Sequence, residues 1–164
     1  MNDVFNKYEQ IIKISSGPYG SIIKAKEKIT GKYVAIKELK KSRYQNIEKF
    51  LNDAKIMELN KMENSVNIIE TFENNDNFYI IMELCLINLE EYIRIKNKGL
   101  SIEEIKEILY QINIILKNIQ DKDININLKL SNILITIDKM SRILIKLSDF
   151  GLDKKKMKTQ QLVY

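Results

Sequence analysis

Leu128-Lys129-Leu130-Ser131-Asn132-Ile133-Leu134, followed downstream by Asp149-Phe150-Gly151-Leu152, is the most informative part of the chain. Between these segments lie two short apolar runs, Ile133 to Ile137 and Ile143 to Leu147, rich in the β-branched residues that suit strands. The polar stretch Asn125 to Asn132 leads into the first run, and Asp149 follows the second. Asn132 and Asp149 therefore stand seventeen positions apart, each beside a strand. An amide and a carboxylate so placed can hold a hard cation through oxygen. An Asx turn beside a strand is the plainer explanation of either residue taken alone.

Upstream, Ile102 to Ile119 reads as a helix. Ser101 is positioned to cap it, and Glu103 and Glu104 occupy the first turn, where the helix dipole favours acids. Ile105, Ile108, Leu109, Ile112, Ile115, Leu116 and Ile119 form one apolar stripe, for which core packing is a sufficient explanation. Asn88 to Ile95 predicts a shorter helix. Further upstream the period changes to that of strands. Tyr8 to Ile14, Ser21 to Glu27, Tyr33 to Ile36, Ile68-Ile69 and Phe78 to Met82 predict a largely antiparallel sheet. Thr30-Gly31-Lys32 marks a turn. Ile47, Phe50, Leu51, Ala54 and Met57 predict one helix between the third and fourth strands.

Two features of this first part carry chemistry weakly. Gly17-Pro18-Tyr19-Gly20 links two strands; glycines there allow close approach of a ligand, and taken alone a plain hairpin turn is the better explanation. Lys37, ending Val34-Ala35-Ile36-Lys37, can reach polyphosphate oxygens or simply be a solvated strand end.

The order of these features resembles that of the eukaryotic protein kinases, over essentially the whole chain. Ser15-Ser16-Gly17-Pro18-Tyr19-Gly20-Ser21-Ile22 is similar to the glycine-rich loop and Val34-Ala35-Ile36-Lys37 to the third strand. Met82-Glu83-Leu84-Cys85 resembles the hinge, Leu128 to Leu134 the catalytic loop, and Asp149-Phe150-Gly151 the metal-binding motif. The resemblance implies an α+β, protein-kinase-like fold. Its N-lobe, residues 1–84, would hold a five-stranded antiparallel sheet with one helix. An incomplete, mainly helical C-lobe, residues 85–164, would end in the activation segment.

The resemblance also implies a nucleotide partner, with ATP and Mg²⁺ as cofactors. Lys37 would bind the α/β-phosphates, and Asn132 and Asp149 would hold the metal. Glu83 to Cys85 would offer backbone groups to the adenine, Met82 would gate the pocket behind it, and Gly17, Gly20, Ile22 and Ala35 would line the nucleotide. Lys129 would sit near the transferred phosphate and favours Ser/Thr over Tyr specificity by analogy.

Four departures qualify this. Asn125-Ile126-Asn127 replaces His-Arg-Asp, so Asn127 stands where the catalytic carboxylate belongs. An amide oxygen orients a hydroxyl but is a poor proton acceptor, and general-base terms are worth about 10²–10⁴-fold. Ile126 removes the arginine that would read a phosphorylated activation loop. Asp53 occupies the position of the helical glutamate that pairs with Lys37, one methylene short, with Glu48 and Glu58 as alternatives. Ser15 replaces the first glycine, a minor change. Finally, the sequence ends at Tyr164, thirteen residues after Gly151. Family members continue into further helices, so part of the Ile102–Ile119 stripe is expected to be exposed to a protein partner, to dimerisation or to aggregation.

Composition excludes other chemistries. The 164 residues contain no histidine and one cysteine, Cys85. Histidine bases, the Ser-His-Asp triad, a disulfide framework and a cysteine-rich zinc site are thereby removed. The net charge of +5 comes from 24 Lys and 3 Arg against 22 acids, and 30 Ile and 17 Asn accompany them. Ile, Asn and Lys share A/T-rich codons, and the lysines are scattered, so the charge does not predict nucleic-acid binding. Lys154 to Lys158 is the one dense basic run and reads as a solvated tail. The longest uncharged stretch is ten residues, Ile14 to Ile23, so no membrane span is expected. With no secretory pattern and a single cysteine, a cytoplasmic location is expected. The leading expectation is an ATP-binding, kinase-like domain with impaired transfer to protein Ser/Thr, a pseudokinase. The alternatives are an active Ser/Thr kinase and a non-enzymatic interaction scaffold.

Overall fold

Alternation of side chains builds the first sheet. Its strands are β1 (Tyr8–Gly17), β2 (Gly20–Glu27), β3 (Tyr33–Lys40), β4 (Ile68–Glu73) and β5 (Asn77–Glu83). The computed structural model describes residues 4–17, 20–43, 64–119, 128–138, 140 and 142–148. All strand pairs are antiparallel, in the order β1-β2-β3-β5-β4. This is the five-stranded sheet expected, with β3 running three residues past Lys37. The expected helix around Ile47 to Met57, with Asp53, lies outside the described residues.

Register places one apolar row on each face. Ile23, Ile36 and Ile81 lie side by side across β2, β3 and β5, with Ala25 beside Val34 in the next row of that face. These residues are buried with Val4, Tyr8 and Tyr79. Val4 belongs to a segment not anticipated from the sequence: a one-turn helix, α1 (Val4–Lys7), that leads into β1 at Tyr8. Phe5 meets the edge of the Tyr79 ring, and Tyr8 that of Phe72. The Tyr8 hydroxyl and Lys7 Nζ both donate to the Glu70 carboxylate.

The second sheet is small. β6 (Ile87–Asn88), β7 (Ile133–Ile137) and β8 (Ile143–Leu147) pair antiparallel in that order. β7 and β8 match the expected runs; β6, only two residues long, adds a third strand. Asn88 also caps α2 (Leu89–Ile95), its side-chain oxygen accepting the Glu91 N–H at 2.8 Å. The long helix, α3 (Ile102–Ile119), begins with a capping box. Ser101 Oγ accepts the Glu104 N–H at 3.1 Å, and the Glu104 carboxylate accepts the Ser101 N–H at 2.9 Å.

Ile108 and Ile115 of α3 are buried with Leu89, Ile133, Ile135, Ile145 and Leu147 to form the second core. The rest of the stripe divides as its spacing dictates: Ile105, Leu109 and Leu116 are 42%, 58% and 37% exposed. Core packing thus explains only one side of the stripe. Among the described residues, no helix is long and apolar enough to cross a membrane.

Candidate functional site

The two sheets meet along one apolar seam. Ala35 of β3 and Met82 of β5 are register partners and so share a face. They are buried with Val66, while Leu84, Cys85 and Leu134 pack against the group. Leu134 comes from β7, so this cluster joins the two sheets through apolar packing. On the same face of the first sheet, Ile22, Lys37 and Ile80 form the adjoining row. Ile22, Ala35 and Lys37 therefore share one face of the sheet, with Lys37 partly exposed.

At one end of this face, Gly17 and Gly20 are the last register pair of the β1–β2 ladder. They end the ladder of the β1–β2 hairpin, at the end of the face that carries Lys37. They differ in their demands. A Cβ at Gly20, whose φ is +155°, would lie 1.9 Å from the Glu38 carbonyl oxygen. At Gly17 no described atom lies within 4 Å of that position, so the backbone there can be approached closely.

Asn132 ends the 3₁₀ turn Leu130–Asn132, directly before β7, and is buried. Its N–H donates to the Lys129 carbonyl at 2.9 Å. Its own carbonyl accepts both the N–H and the hydroxyl of Ser148, at 3.1 and 3.2 Å. Ser148 precedes Asp149, so two positions distant in sequence are joined at one end of β7 and β8. Asp149 and Asn127 themselves lie outside the described residues. Lys129 is exposed and extended, with φ −150° and ψ 157°.

The connection between the sheets is also constrained. The Glu83 N–H donates to the Asn67 carbonyl at 3.0 Å, and the Leu86 N–H to the Ile135 carbonyl at 3.0 Å. Leu84-Cys85, between them, runs along the apolar seam. Burial pushes the Cys85 thiol up to about 11, with the nearby Glu83 charge acting in the same direction. The Glu83 carboxylate accepts the Asn67 N–H at 2.7 Å and Lys146 Nζ at 2.5 Å.

Lys146, Asn67 and Gln111 are contacts that sequence reasoning missed. Gln111 had a detectable signal: it is the polar residue at a helical position, three after Ile108 and four before Ile115, that faces the core. Among the described residues, no group of three or more acidic or cysteine side chains could hold a metal. An oxygen site here would need Asn132 together with a residue beyond Ser148. The donor set thus fits a hard cation only in part within the described residues.

Comparison of the sequence with known proteins shows its family. The sequence profile of the protein kinase domain matches residues 8–163. Cyclin-dependent kinase 9 of Danio rerio is 32% identical over 165 residues, which cover 92% of this chain and 42% of that protein. Cyclin-dependent kinase-like 1 of Caenorhabditis elegans is 32% identical over 149 residues, covering 89% of this chain and 41% of the relative. Calcium-dependent protein kinase 3 of Plasmodium yoelii yoelii is 32% identical over 158 residues, covering 93% and 28%. The chain spans less than half the length of these relatives.

Proposed function

The chain belongs to the protein kinase family, and on that premise we propose that it is an ATP-binding, kinase-like domain in which phosphoryl transfer to protein Ser/Thr is impaired. The observation that carries the binding half is the apolar seam shared by Ala35, Met82 and Leu134, with the Asn132–Ser148 junction at one end of β7 and β8. In this reading the lobe of residues 1–84 holds the nucleotide from above and that of residues 85–164 from below. Ile22 and Ala35 contact the base, and Leu84-Cys85 run along its edge, with the Glu83 N–H already committed to Asn67. Gly17 and Gly20 let the loop approach the phosphates. Lys37, paired with Asp53, binds them.

Asn132 and Asp149 are the residues that would hold Mg²⁺. Bound there, the ion neutralises phosphate charge. Lys129 stands near the phosphate to be transferred. Asn127 carries the impairment: its amide can orient a substrate hydroxyl and cannot usefully take its proton. Transfer depends mainly on positioning and charge, so a trace is compatible with this chemistry.

A second reading, a protein-interaction scaffold, is favoured by one observation, the exposed Ile105, Leu109 and Leu116 on α3. A cytoplasmic location goes with either reading.

The test is thermal unfolding with and without Mg-ATP, with Lys37→Met as control. Ligand at 100 times its dissociation constant adds about 2.7 kcal/mol. A transition raised by Mg-ATP, and raised less in Lys37→Met, is the expected result. A cooperative transition indifferent to nucleotide leaves the scaffold. Radiolabelled transfer well above the Lys37→Met level would overturn the impairment.

A further inference from the structure

Lys146 has no part in the chemistry outlined above, yet its side chain is only 15% exposed. It alternates along β8 with Ile145 and Leu147, which point into the second core. Its register partner on β7 is Leu134, so both point to the opposite face, toward the first sheet. Leu134 meets Ala35 and Met82 there. Lys146 Nζ meets the Glu83 carboxylate at 2.5 Å.

That contact closes a ring. The Glu83 oxygen that accepts from Lys146 also accepts the Asn67 N–H, and the Glu83 N–H returns to the Asn67 carbonyl. Val66, next to Asn67, donates its N–H to the Leu147 carbonyl at 3.0 Å. Leu147 is next to Lys146. The end of β5, the segment 64–67 and β8 are thus tied by two ladder-like links and one ion pair. The ion pair is the only side-chain-to-side-chain link of the three, and it spans the seam between the sheets. A half-buried pair of this kind is screened less than a surface pair and is sensitive to loss of one partner.

We propose that Lys146 is a positioning residue. Clasped to Glu83, it holds the second sheet in register beneath the first, and so fixes the spacing between the Glu83–Cys85 edge and the Asn132–Ser148 end. The consequence for affinity rests on the nucleotide reading above; the clasp itself does not.

The experiment uses the whole chain with Lys146→Met, Lys146→Arg, Glu83→Gln and the Lys146→Met/Glu83→Gln pair. Calorimetric titration with Mg-ATP is made well below each variant's unfolding midpoint. Amide exchange is followed in parallel without nucleotide. Lys146→Met is expected to weaken Mg-ATP binding about fivefold to tenfold. Lys146→Arg should stay within about twofold of the parent, and the double variant should bind no more weakly than Lys146→Met alone. Exchange at Val66, Asn67 and Leu147 should quicken about tenfold in Lys146→Met while the β2 amides are unmoved.

A lowered midpoint with affinity within twofold of the parent would make Lys146 merely structural and overturn the proposal, as would additive losses in the double variant. If the parent chain binds no Mg-ATP, the nucleotide reading fails and exchange alone decides the clasp. Unchanged exchange at Val66, Asn67 and Leu147 would overturn that too.

Discussion

The Gln111 side chain pairs with the outer edge of β8 as another strand would, accepting the Ile145 N–H at 2.8 Å and donating to the Ile143 carbonyl at 2.9 Å. Further along the same edge, Leu147 donates to the Asn64 carbonyl and accepts from Val66. A terminal strand inside the protein leaves backbone groups that water cannot reach, and each needs a partner. Gln111→Leu keeps the volume and removes both bonds. It should lower unfolding free energy by about 1–3 kcal/mol, seen as a reduced urea midpoint at unchanged slope.

The two glycines of the β1–β2 hairpin should respond differently to alanine. Gly20→Ala forces a methyl group into the Glu38 carbonyl and should cost about 2 kcal/mol or more. Gly17→Ala meets no described atom within 4 Å and should change stability by no more than about 1 kcal/mol. If the loop touches phosphate, Gly17→Ala will show itself in nucleotide affinity instead. Paired denaturation and titration data separate the two effects.

Acid should loosen the start of α3. The Glu104 carboxyl is held down at about 2, against 4.5 for a free one, first by Lys96, then by the Ser101 N–H and the Tyr92 hydroxyl. A depressed carboxyl stabilises the fold above its unfolded value, and that contribution is lost as pH falls through the folded value. The relevant window is therefore about pH 4.5 down to 2. Glu104→Gln should flatten the stability profile across that window, measured by denaturant unfolding at stepped pH.

Cys85 should be a slow thiol. Its thiolate is disfavoured by burial, and the inflection of its alkylation rate with pH is expected near 11. The thiol lies along the apolar seam, so Mg-ATP should slow labelling further. Mass spectrometry after timed iodoacetamide exposure reads both. Labelling with an inflection at the usual thiol value would contradict the burial account.

Asn127→Asp is the gain-of-function test. Restoring a proton acceptor should raise radiolabelled transfer by about 10²-fold or more if the missing carboxylate limits turnover. Equal rates for the parent chain and the Asn127→Asp variant would place the limit elsewhere.

Local periodicity made much of the fold readable. Ile23 and Ala25, Val34 and Ile36, and Ile145 and Leu147 alternate as half-buried strands must, and Ser101 with Glu104 marks where α3 begins. Short elements escaped because they have no period to read: α1 is four residues and β6 is two. The candidate site was readable only as a set of separate segments. Nothing local distinguishes Lys146 from any solvent-facing strand lysine; only its register with Leu134 turns it toward Glu83. Gln111 stands among the apolar positions of α3, and its partners, the backbone groups of Ile143 and Ile145, carry no side-chain signature. Tyr8 gave no sign that its hydroxyl would find Glu70, sixty-two positions away.

That last separation governs the order in which the protein can assemble as it is synthesised. Val4, Phe5 and Tyr8 leave the ribosome well before the surfaces they cover, Glu70, Phe72 and Tyr79. Until β4 and β5 have emerged, the β1–β2–β3 meander carries Ile23, Val34 and Ile36 with one side open to solvent. The nascent chain therefore passes through a stage in which an apolar sheet face waits for its last strands. During that interval a chaperone would find its binding surface there.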